Sequence, residues 1–214
     1  MKKNLIVLDL IFYVGLPLFI WHMLREYIGD YYAMLLTSVP AILYTLYRFK
    51  ETKKVNVTGI FILVSLVVGT VVDLLSGSAL QLLWNNVYYS LVVGCFFLFT
   101  MVFKKPMALY FALDVAELQG YERSFSKKLY YQKRLFFIFQ AITFIFALRS
   151  VIFAGVNSWL IQQYGVEAFD NGIVIKQVLG WVMTGIVIAG FIYVSKIIQD
   201  SPELVDQVKG EVST

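Results

Sequence analysis

Residues 135–156 read LFFIFQAITFIFALRSVIFAGV, an apolar run in which Arg149 is the one charged side chain. A helix needs about 20 consecutive apolar residues to cross the hydrocarbon core of a bilayer. The run therefore satisfies the length and the composition of a transmembrane helix. It decides the class of the protein, and it raises the question of what a guanidinium does inside it.

The rest of the chain has the same character. Its 214 residues are 59% hydrophobic and 17% aromatic, against about 45–50% apolar residues in ordinary globular domains. A soluble fold of this length could not bury so much apolar surface, so we expect an all-α, polytopic membrane protein. Six transmembrane helices are predicted, at residues 4–24, 31–49, 57–76, 88–103, 135–156 and 173–196.

Basic residues predict how these six spans are oriented. Of the 18 lysines and arginines, 15 fall on one side of the predicted membrane. They are Lys2, Lys3, Arg48, Lys50, Lys53, Lys54, Lys104, Lys105, Arg123, Lys127, Lys128, Lys133, Arg134, Lys196 and Lys209. By the positive-inside rule that side is cytoplasmic, which gives three hairpins with both termini in the cytoplasm. Trp21, Trp84 and Trp159 fall at the opposite ends, where an aromatic belt belongs.

The segment 105–131 is the one long piece outside the predicted spans. Pro106 suits the first position of a helix and Gly120 its end. We predict a cytoplasmic, interfacial amphipathic helix here, with Asp114 and Glu117 on its solvated face, where paired acids could also hold a divalent ion. The net charge of +4 reflects membrane orientation, so no nucleic-acid partner is expected.

The predicted domain organisation is simple. Residues 1–197 form the six-helix transmembrane domain, which includes the interfacial helix, and residues 198–214 form a polar cytoplasmic tail. The single cysteine, Cys95, excludes an internal disulfide and a cysteine-built metal site, and we expect neither a metal nor a cofactor.

Charged side chains within or beside the spans are the candidate binding residues. They are Arg149, Lys176, Asp73, Arg25, His22 and Glu26. Intramembrane ionisable residues usually pair with one another or serve a site, and Arg149, Asp73 and Lys176 all fall in the outer half of their spans.

Two interpretations of these residues stay open. In the structural one, Arg149 and Asp73 form a buried ion pair while Lys176 extends its ammonium to the interface. In the functional one, they line a shallow, outward-facing cavity. There Arg149 and Lys176 would meet an anion, Asp73 would hold Arg149, and Arg25 would attract the anion from the rim.

His22 and Glu26 stand four residues apart on one helix face, so the carboxylate could orient the imidazole for base chemistry. The sequence holds no second histidine and no nucleophile tied to this pair. We therefore expect no enzymatic activity and assign no catalytic residue.

Two outer links share a faint pattern, WHMLREYIGD at 21–30 and WLIQQYGVEAFD at 159–170. Each begins with a tryptophan and continues with tyrosine, glycine and an acid. A hairpin repeat would give this pattern. So would the chance recurrence of residues that suit a membrane interface, and we favour this second interpretation.

Three further stretches carry a resemblance to a known family: NNVYYSLVVGCFFLFTMVFKKPMALYF at 85–111, LFFIFQAITFIFALRSVIF at 135–153 and IKQVLGW at 175–181. With them the chain resembles the intracellular septation protein A-like family of small bacterial inner-membrane proteins, over about two thirds of its length. The resemblance implies a bacterial inner membrane and a role in envelope maintenance, division or septation. The sixth span and Arg149 depart from the family pattern.

The function expected from these observations is binding or transport of an anionic small molecule or lipid-linked headgroup through the outward-facing cavity. The alternatives are a non-catalytic envelope or septation scaffold and the substrate-binding membrane subunit of a multi-component transporter. The expected partners are membrane lipids, the anionic ligand and other membrane proteins.

Overall fold

The computed structural model describes residues 8, 10–52, 56–203, 205 and 208. Every element among these residues is helical, and a π-helical turn at Ile11–Gly15 leads into the first α-helix. The α-helices are α1 (Leu16–Ile28), α2 (Asp30–Thr52), α3 (Val57–Leu74), α4 (Ala79–Val102), α5 (Met107–Leu118), α6 (Arg123–Tyr130), α7 (Lys133–Tyr164) and α8 (Ala168–Gln199). The prediction of an all-α fold is confirmed for this part of the chain.

Within the described residues, three helical stretches are long and apolar enough to cross a membrane. They are Val57–Leu74, Ala79–Val102 and Lys133–Gln199, the last of which contains α7, a 3₁₀ turn and α8. The membrane-like character of the chain is thus confirmed, while six spans, three hairpins and the orientation of the termini stay predictions. The beginning of the first predicted span, the basic residues Lys2, Lys3, Lys53, Lys54 and Lys209, and residues 209–214 of the predicted tail lie outside the described residues.

The chain forms two compact units. The first comprises Met1–Val55, Gly59–Leu91 and Ile152–Gly180. Its buried core contains Trp21, Ala33, Met34, Ala79, Leu82, Leu83, Val87, Ala154, Leu160, Ile161 and Ala168. These side chains pack against one another across the helices of the unit.

A tight turn joins the first two helices of this unit. Gly29 ends α1 with a φ of 78°, a backbone conformation that only glycine adopts without strain, and α2 begins at the next residue. The two helices then pack along each other, with the Phe12 and Tyr44 rings stacked at 4.7 Å. The Tyr13 hydroxyl lies 3.0 Å from Thr45 Oγ1 on the same side of the pair.

The second unit comprises Asn56–Thr58, Val92–Val151 and Trp181–Thr214. Its core contains Ala108, Leu109, Leu113, Leu129, Leu135, Phe139, Ile142, Val187, Val194, Ile197 and Val208. Gly190 of α8 lies so close to α7 that a Cβ there would fall 2.9 Å from Ile142 Cγ1, so the glycine permits this contact. Val208, within the predicted polar tail, is fully buried in this core.

The segment 105–131, predicted as one interfacial helix, contains two helices, and its interfacial placement stays a prediction; the predicted start and end fit the first of the two, α5. Pro106 stands at its N-cap, one position before the first helical residue, and Gly120 follows its end with a φ of 91°. Leu109 and Leu113 are fully buried, as the apolar face requires. Asp114 does not lie on the solvated face, since only 2% of its surface is exposed.

Candidate functional site

Arg25 is the centre of a polar cluster in the first unit. Its Nη1 and Nη2 donate hydrogen bonds to the two carboxylate oxygens of Glu167, at 2.7 and 2.6 Å. Its Nε donates a third bond to Asp30 Oδ1 at 3.1 Å. A planar guanidinium matches a carboxylate in this two-point geometry, which makes the arrangement stronger and more directional than a single contact.

The local sequence explains why these groups meet. Arg25 lies in the last turn of α1, Asp30 opens α2 directly after the Gly29 turn, and Glu167 ends the 3₁₀ turn Gly165–Glu167. The guanidinium carbon also lies 4.3 Å above the ring of Trp21, a cation–π contact. The bonds to Glu167 raise the pKa of Arg25 further above its ordinary range, so this side chain remains charged.

His22 belongs to the same cluster. Its Nδ1 lies 2.9 Å from the carbonyl oxygen of Leu18, and its Nε2 lies 3.8 Å from Asp170 Oδ2. Glu26 is exposed. Among the described residues no ion pair joins His22 to Glu26, and the carboxylate that lies near the imidazole is that of Asp170.

Asp73 lies near the end of α3 and is half-buried in the first unit. Its Oδ1 accepts a hydrogen bond from Asn86 Nδ2 at 3.0 Å. The Tyr31 hydroxyl donates to the carbonyl oxygens of Asp73 and Leu74, at 3.2 and 2.9 Å. These contacts join α2, α3 and α4 through neutral donors.

Lys176 is half-buried in α8. Its side chain lies back along the helix toward the first turn, so that a Cβ at Gly172 would stand 3.2 Å from Lys176 Cε and 3.1 Å from Leu160 Cδ1. Leu160 and Gly172 are themselves buried. Among the described residues, no hydrogen bond or ion pair reaches the Lys176 ammonium, which distinguishes it from Arg25.

Arg149 is half-buried in α7, and its side chain has at least one polar, charged or ring partner. It belongs to the second unit, whereas Asp73 belongs to the first. The predicted ion pair between the two therefore stays a prediction. Of the six predicted residues, the structure brings His22 and Arg25 into one cluster. Asp73, Lys176 and Glu26 belong to the same unit but not to this cluster.

Two acids of this cluster, Glu167 and Asp170, were absent from the predicted site. The available signal was the recurring pattern at 21–30 and 159–170. These segments contact each other through Arg25 with Glu167 and His22 with Asp170. The ring centroids of Trp21 and Phe169 lie 4.9 Å apart. The two links that share this composition therefore contact each other in the structure.

A second polar centre, in the second unit, was also missed. Asp114 Oδ2 accepts hydrogen bonds from the backbone nitrogen and from the hydroxyl of Thr58, both at 2.7 Å. Arg123 Nη1 donates to Asp114 Oδ1 at 2.9 Å and to Glu117 Oε2 at 2.8 Å. The buried carboxylate caps the start of α3, satisfying a backbone donor that has no partner within the helix.

These contacts assign Asp114 and Glu117 to an ionic network rather than to a divalent-ion site. In the part of the chain that the structure describes, no group of three or more His, Cys, Asp or Glu side chains could hold a metal ion. The bonds to Asp114 raise the pKa of Arg123 above its ordinary range, so the network keeps its charge.

No family model matches the chain, and neither a curated protein nor a solved structure does. The geometry of the site therefore has to carry any functional interpretation.

Proposed function

We propose that the protein binds an anionic small molecule or lipid-linked headgroup at the outer side of the first unit, as a polytopic protein of the bacterial inner membrane. The observation that carries this proposal is the Lys176 ammonium. It is half-buried in an apolar helix and has no counter-ion among the described residues. An unpaired charge in such surroundings is unfavourable, and membrane proteins retain it mainly at sites and pathways.

The position of the ammonium favours an anion as the missing partner. Lys176 lies against Gly172, close to the first turn of α8, where backbone N–H groups and the helix dipole already favour negative charge. A second positive group at this end of the helix increases that preference. Carboxylate and phosphate both satisfy it, and a lipid-linked headgroup supplies either one.

Arg25 has a different role in this proposal. Its guanidinium makes three hydrogen bonds to two carboxylates, so it has little capacity left for an incoming anion. It is a positioning residue that fixes α1 and α2 against the start of α8, and thereby holds the segment from which Lys176 projects.

Native mass spectrometry on protein gently purified from its own membranes tests the proposal. Lys176→Met keeps the length of the side chain and removes its charge. Lys196→Met is the matched control, because Lys196 lies on the same helix and is exposed. We expect wild type and Lys196→Met to retain the same bound anion and Lys176→Met to lose it, with a loss of at least about tenfold in affinity.

Thermal unfolding in detergent provides a second readout. Once the protein is stripped of ligand, Lys176→Met should unfold at a higher temperature than wild type, because the variant no longer holds an uncompensated charge. An anion bound equally by wild type and Lys176→Met contradicts the proposal. No bound anion in any form, with inorganic phosphate also failing to bind, would favour the non-catalytic scaffold instead.

A further inference from the structure

Five exposed basic side chains of the second unit come from two segments that are well separated in the sequence. They are Lys104 and Lys105, which follow the end of α4, and Lys127, Lys133 and Arg134, which lie in α6 and α7. We call these five residues the basic surface. Arg123 pairs with Asp114 and Glu117, but no ion pair within the described part of the chain includes a member of the basic surface.

Tyr131 brings the two segments together. Its hydroxyl donates a hydrogen bond to the backbone carbonyl oxygen of Lys104 at 3.2 Å. Its backbone N–H bonds to the carbonyl oxygen of Lys127, one helical turn earlier, so the side chains of Lys127 and Tyr131 project from the same side of the helix. Lys133 follows two residues later and opens α7. The contact made by one tyrosine thus places both segments side by side.

Lys104 stands at a backbone position that glycine normally takes. Its φ is 56°, and it is the one described residue other than glycine with a positive φ. The N–H of Lys104 bonds to Met101 and that of Lys105 to Thr100, so this conformation closes the C-terminal end of α4. Lysine adopts it less easily than glycine, which indicates a role for the positive charge. That role is either to face the helix dipole of α4 or to bind an anion.

Exposed apolar side chains adjoin the basic surface. Val102 and Phe103 directly precede Lys104 and are 77% and 63% exposed. Phe137 is 74% exposed and follows Lys133 by four residues, so the two side chains share one side of α7. Both α4 and α7 belong to stretches that are long and apolar enough to cross a membrane. A band of charge beside exposed apolar residues at the end of such a stretch is typical of the level of the lipid headgroups.

This combination indicates a phospholipid rather than a soluble anion. An acidic polypeptide would match the positive charge, but it would leave Val102, Phe103 and Phe137 in water. A phospholipid satisfies both parts, because its phosphate lies at the level of the basic side chains and its acyl chains lie against the apolar ones. An anionic headgroup is favoured over a zwitterionic one, since each lysine or arginine near a bilayer surface increases the affinity for anionic lipid by about fivefold.

We propose that the basic surface binds the headgroups of anionic phospholipids, with Val102, Phe103 and Phe137 in contact with their acyl chains. The proposal does not depend on the anion site of the first unit, because all five basic residues belong to the second unit. It assigns to this surface the choice of the lipids that surround the protein.

The test uses the full chain, delipidated in detergent and titrated with phosphatidylglycerol or with phosphatidylcholine of the same acyl chains. Native mass spectrometry measures the bound fraction. We expect wild type to prefer phosphatidylglycerol by at least about fivefold. The triple variant Lys105→Gln/Lys133→Gln/Arg134→Gln changes exposed positions only, so it should fold and lose most of this preference.

Lys104 provides a matched pair of variants. Lys104→Gly removes the charge and suits the positive φ, so the fold should remain intact. Lys104→Arg keeps the charge at the same position. We expect Lys104→Gly to reduce the preference for phosphatidylglycerol by about fivefold and Lys104→Arg to retain it. Thermal unfolding of both variants in detergent checks that the difference does not come from a loss of structure.

A tryptophan at position 137 locates the bound lipid. Phe137→Trp keeps an aromatic ring at an exposed position of α7, and wild type supplies the background from the four native tryptophans. In bilayers that mix the two lipids, bromine on the acyl chains of one of them quenches indole fluorescence nearby. We expect the added fluorescence to be quenched more strongly by brominated phosphatidylglycerol than by brominated phosphatidylcholine. Val64→Trp, at an exposed position in α3, is the control and should show no such preference.

Three outcomes overturn the proposal. In the first, wild type binds both lipids equally. In the second, Lys104→Gly and the triple variant fold and keep the wild-type preference, and the charge of Lys104 then serves the helix dipole alone. In the third, polyglutamate displaces phosphatidylglycerol from wild type at the same concentration of charge, and the occupant is then an acidic polypeptide.

Discussion

Arg25 in the first unit and Asp114 in the second are each held by two charged or polar partners, yet the carboxylate of Asp114 is buried whereas neither Arg25 nor Glu167 is. Asp114 has 2% of its side chain exposed, and its basic partner Arg123 has 39%. The side chain of Arg25 is 26% exposed, and that of its carboxylate partner Glu167 is 49% exposed. Because water screens and rehydrates exposed charges, similar bond lengths in the two networks correspond to different contributions to the free energy of unfolding.

The largest expected effect is that of Asp114→Ala. The change leaves the Thr58 backbone N–H, the Thr58 hydroxyl and one N–H of Arg123 without their acceptor. Each hydrogen bond to a charged acceptor stabilises the folded state by about 1.5–3 kcal/mol in buried settings. The loss at Arg123 is partly offset because its guanidinium can bond to water instead. We expect the free energy of unfolding to fall by about 2–4 kcal/mol, measured by thermal or denaturant unfolding in detergent.

The control for that variant is Glu117→Gln, which removes the other carboxylate that Arg123 contacts. Glu117 is 43% exposed, so its loss should change the free energy of unfolding by about 0.5 kcal/mol or less. If Glu117→Gln were as destabilising as Asp114→Ala, burial of the carboxylate would not be what distinguishes the two positions.

Arg25→Gln should have the next largest effect. It removes the two-point contact with Glu167, the bond to Asp30 and the contact over the Trp21 ring. The two exposed acids left behind regain water, so we expect a loss of about 1–2 kcal/mol in the free energy of unfolding. Unfolding of Arg25→Gln and Asp114→Ala under one set of conditions compares the networks directly, and a larger loss for Arg25→Gln would reverse the order.

Thr58→Val sharpens the comparison within the second unit. Valine keeps the volume of the side chain and the backbone bond to Asp114, and it removes the hydroxyl bond alone. We expect a loss of about 1.5 kcal/mol in the free energy of unfolding, the lower end of the range for a hydrogen bond to a charged acceptor, because Thr58 is half-buried. A loss as large as that of Asp114→Ala would mean that the hydroxyl, and not the helix cap, dominates this contact.

The smallest expected effect is a pH dependence in the first unit. Glu167 lies in the turn between the last two helices, outside the predicted spans, and its hydrogen bonds from Arg25 lower the pKa of its carboxyl below the ordinary value of 4.5. A lowered pKa in the folded state stabilises the protein above pH 4.5, and this contribution disappears as the pH falls through the folded-state value.

Glu167→Gln isolates this contribution. The difference in the free energy of unfolding between wild type and the variant should stay below about 1 kcal/mol at neutral pH, because the pair is exposed, and should vanish in acid. High salt should reduce it as well. A difference that is the same at pH 7 and pH 3 would contradict the role assigned to this ion pair.

Parts of the fold were open to prediction because they depend on local properties. The apolar runs predicted helices, and the described helices lie at those positions. Pro106 and Gly120 bracketed α5, since proline restricts the start of a helix and glycine accepts the positive φ after its end. Both signals are properties of a few consecutive residues.

The polar contacts were less accessible to prediction. The hypothesis that Glu26 orients His22 used helix spacing, but the carboxylate near His22 comes from Asp170, far along the chain. Asp114 was expected on a solvated face because acids on surface helices usually lie there. Its partner Thr58 is 56 residues away, at the start of another helix, so no local pattern could identify it.

The sequence by itself determined that this is a helical protein with membrane-like helices, where those helices run and which few charges they carry. Those properties follow from hydrophobicity and from the period of the backbone, and neither needs a neighbour to be defined. Tertiary structure alone decided that Glu167 pairs with Arg25, that Asp114 is buried against Thr58, and that Tyr131 contacts Lys104. Each depends on how the helices rotate and pack against one another. That packing is set jointly by residues far apart in the sequence.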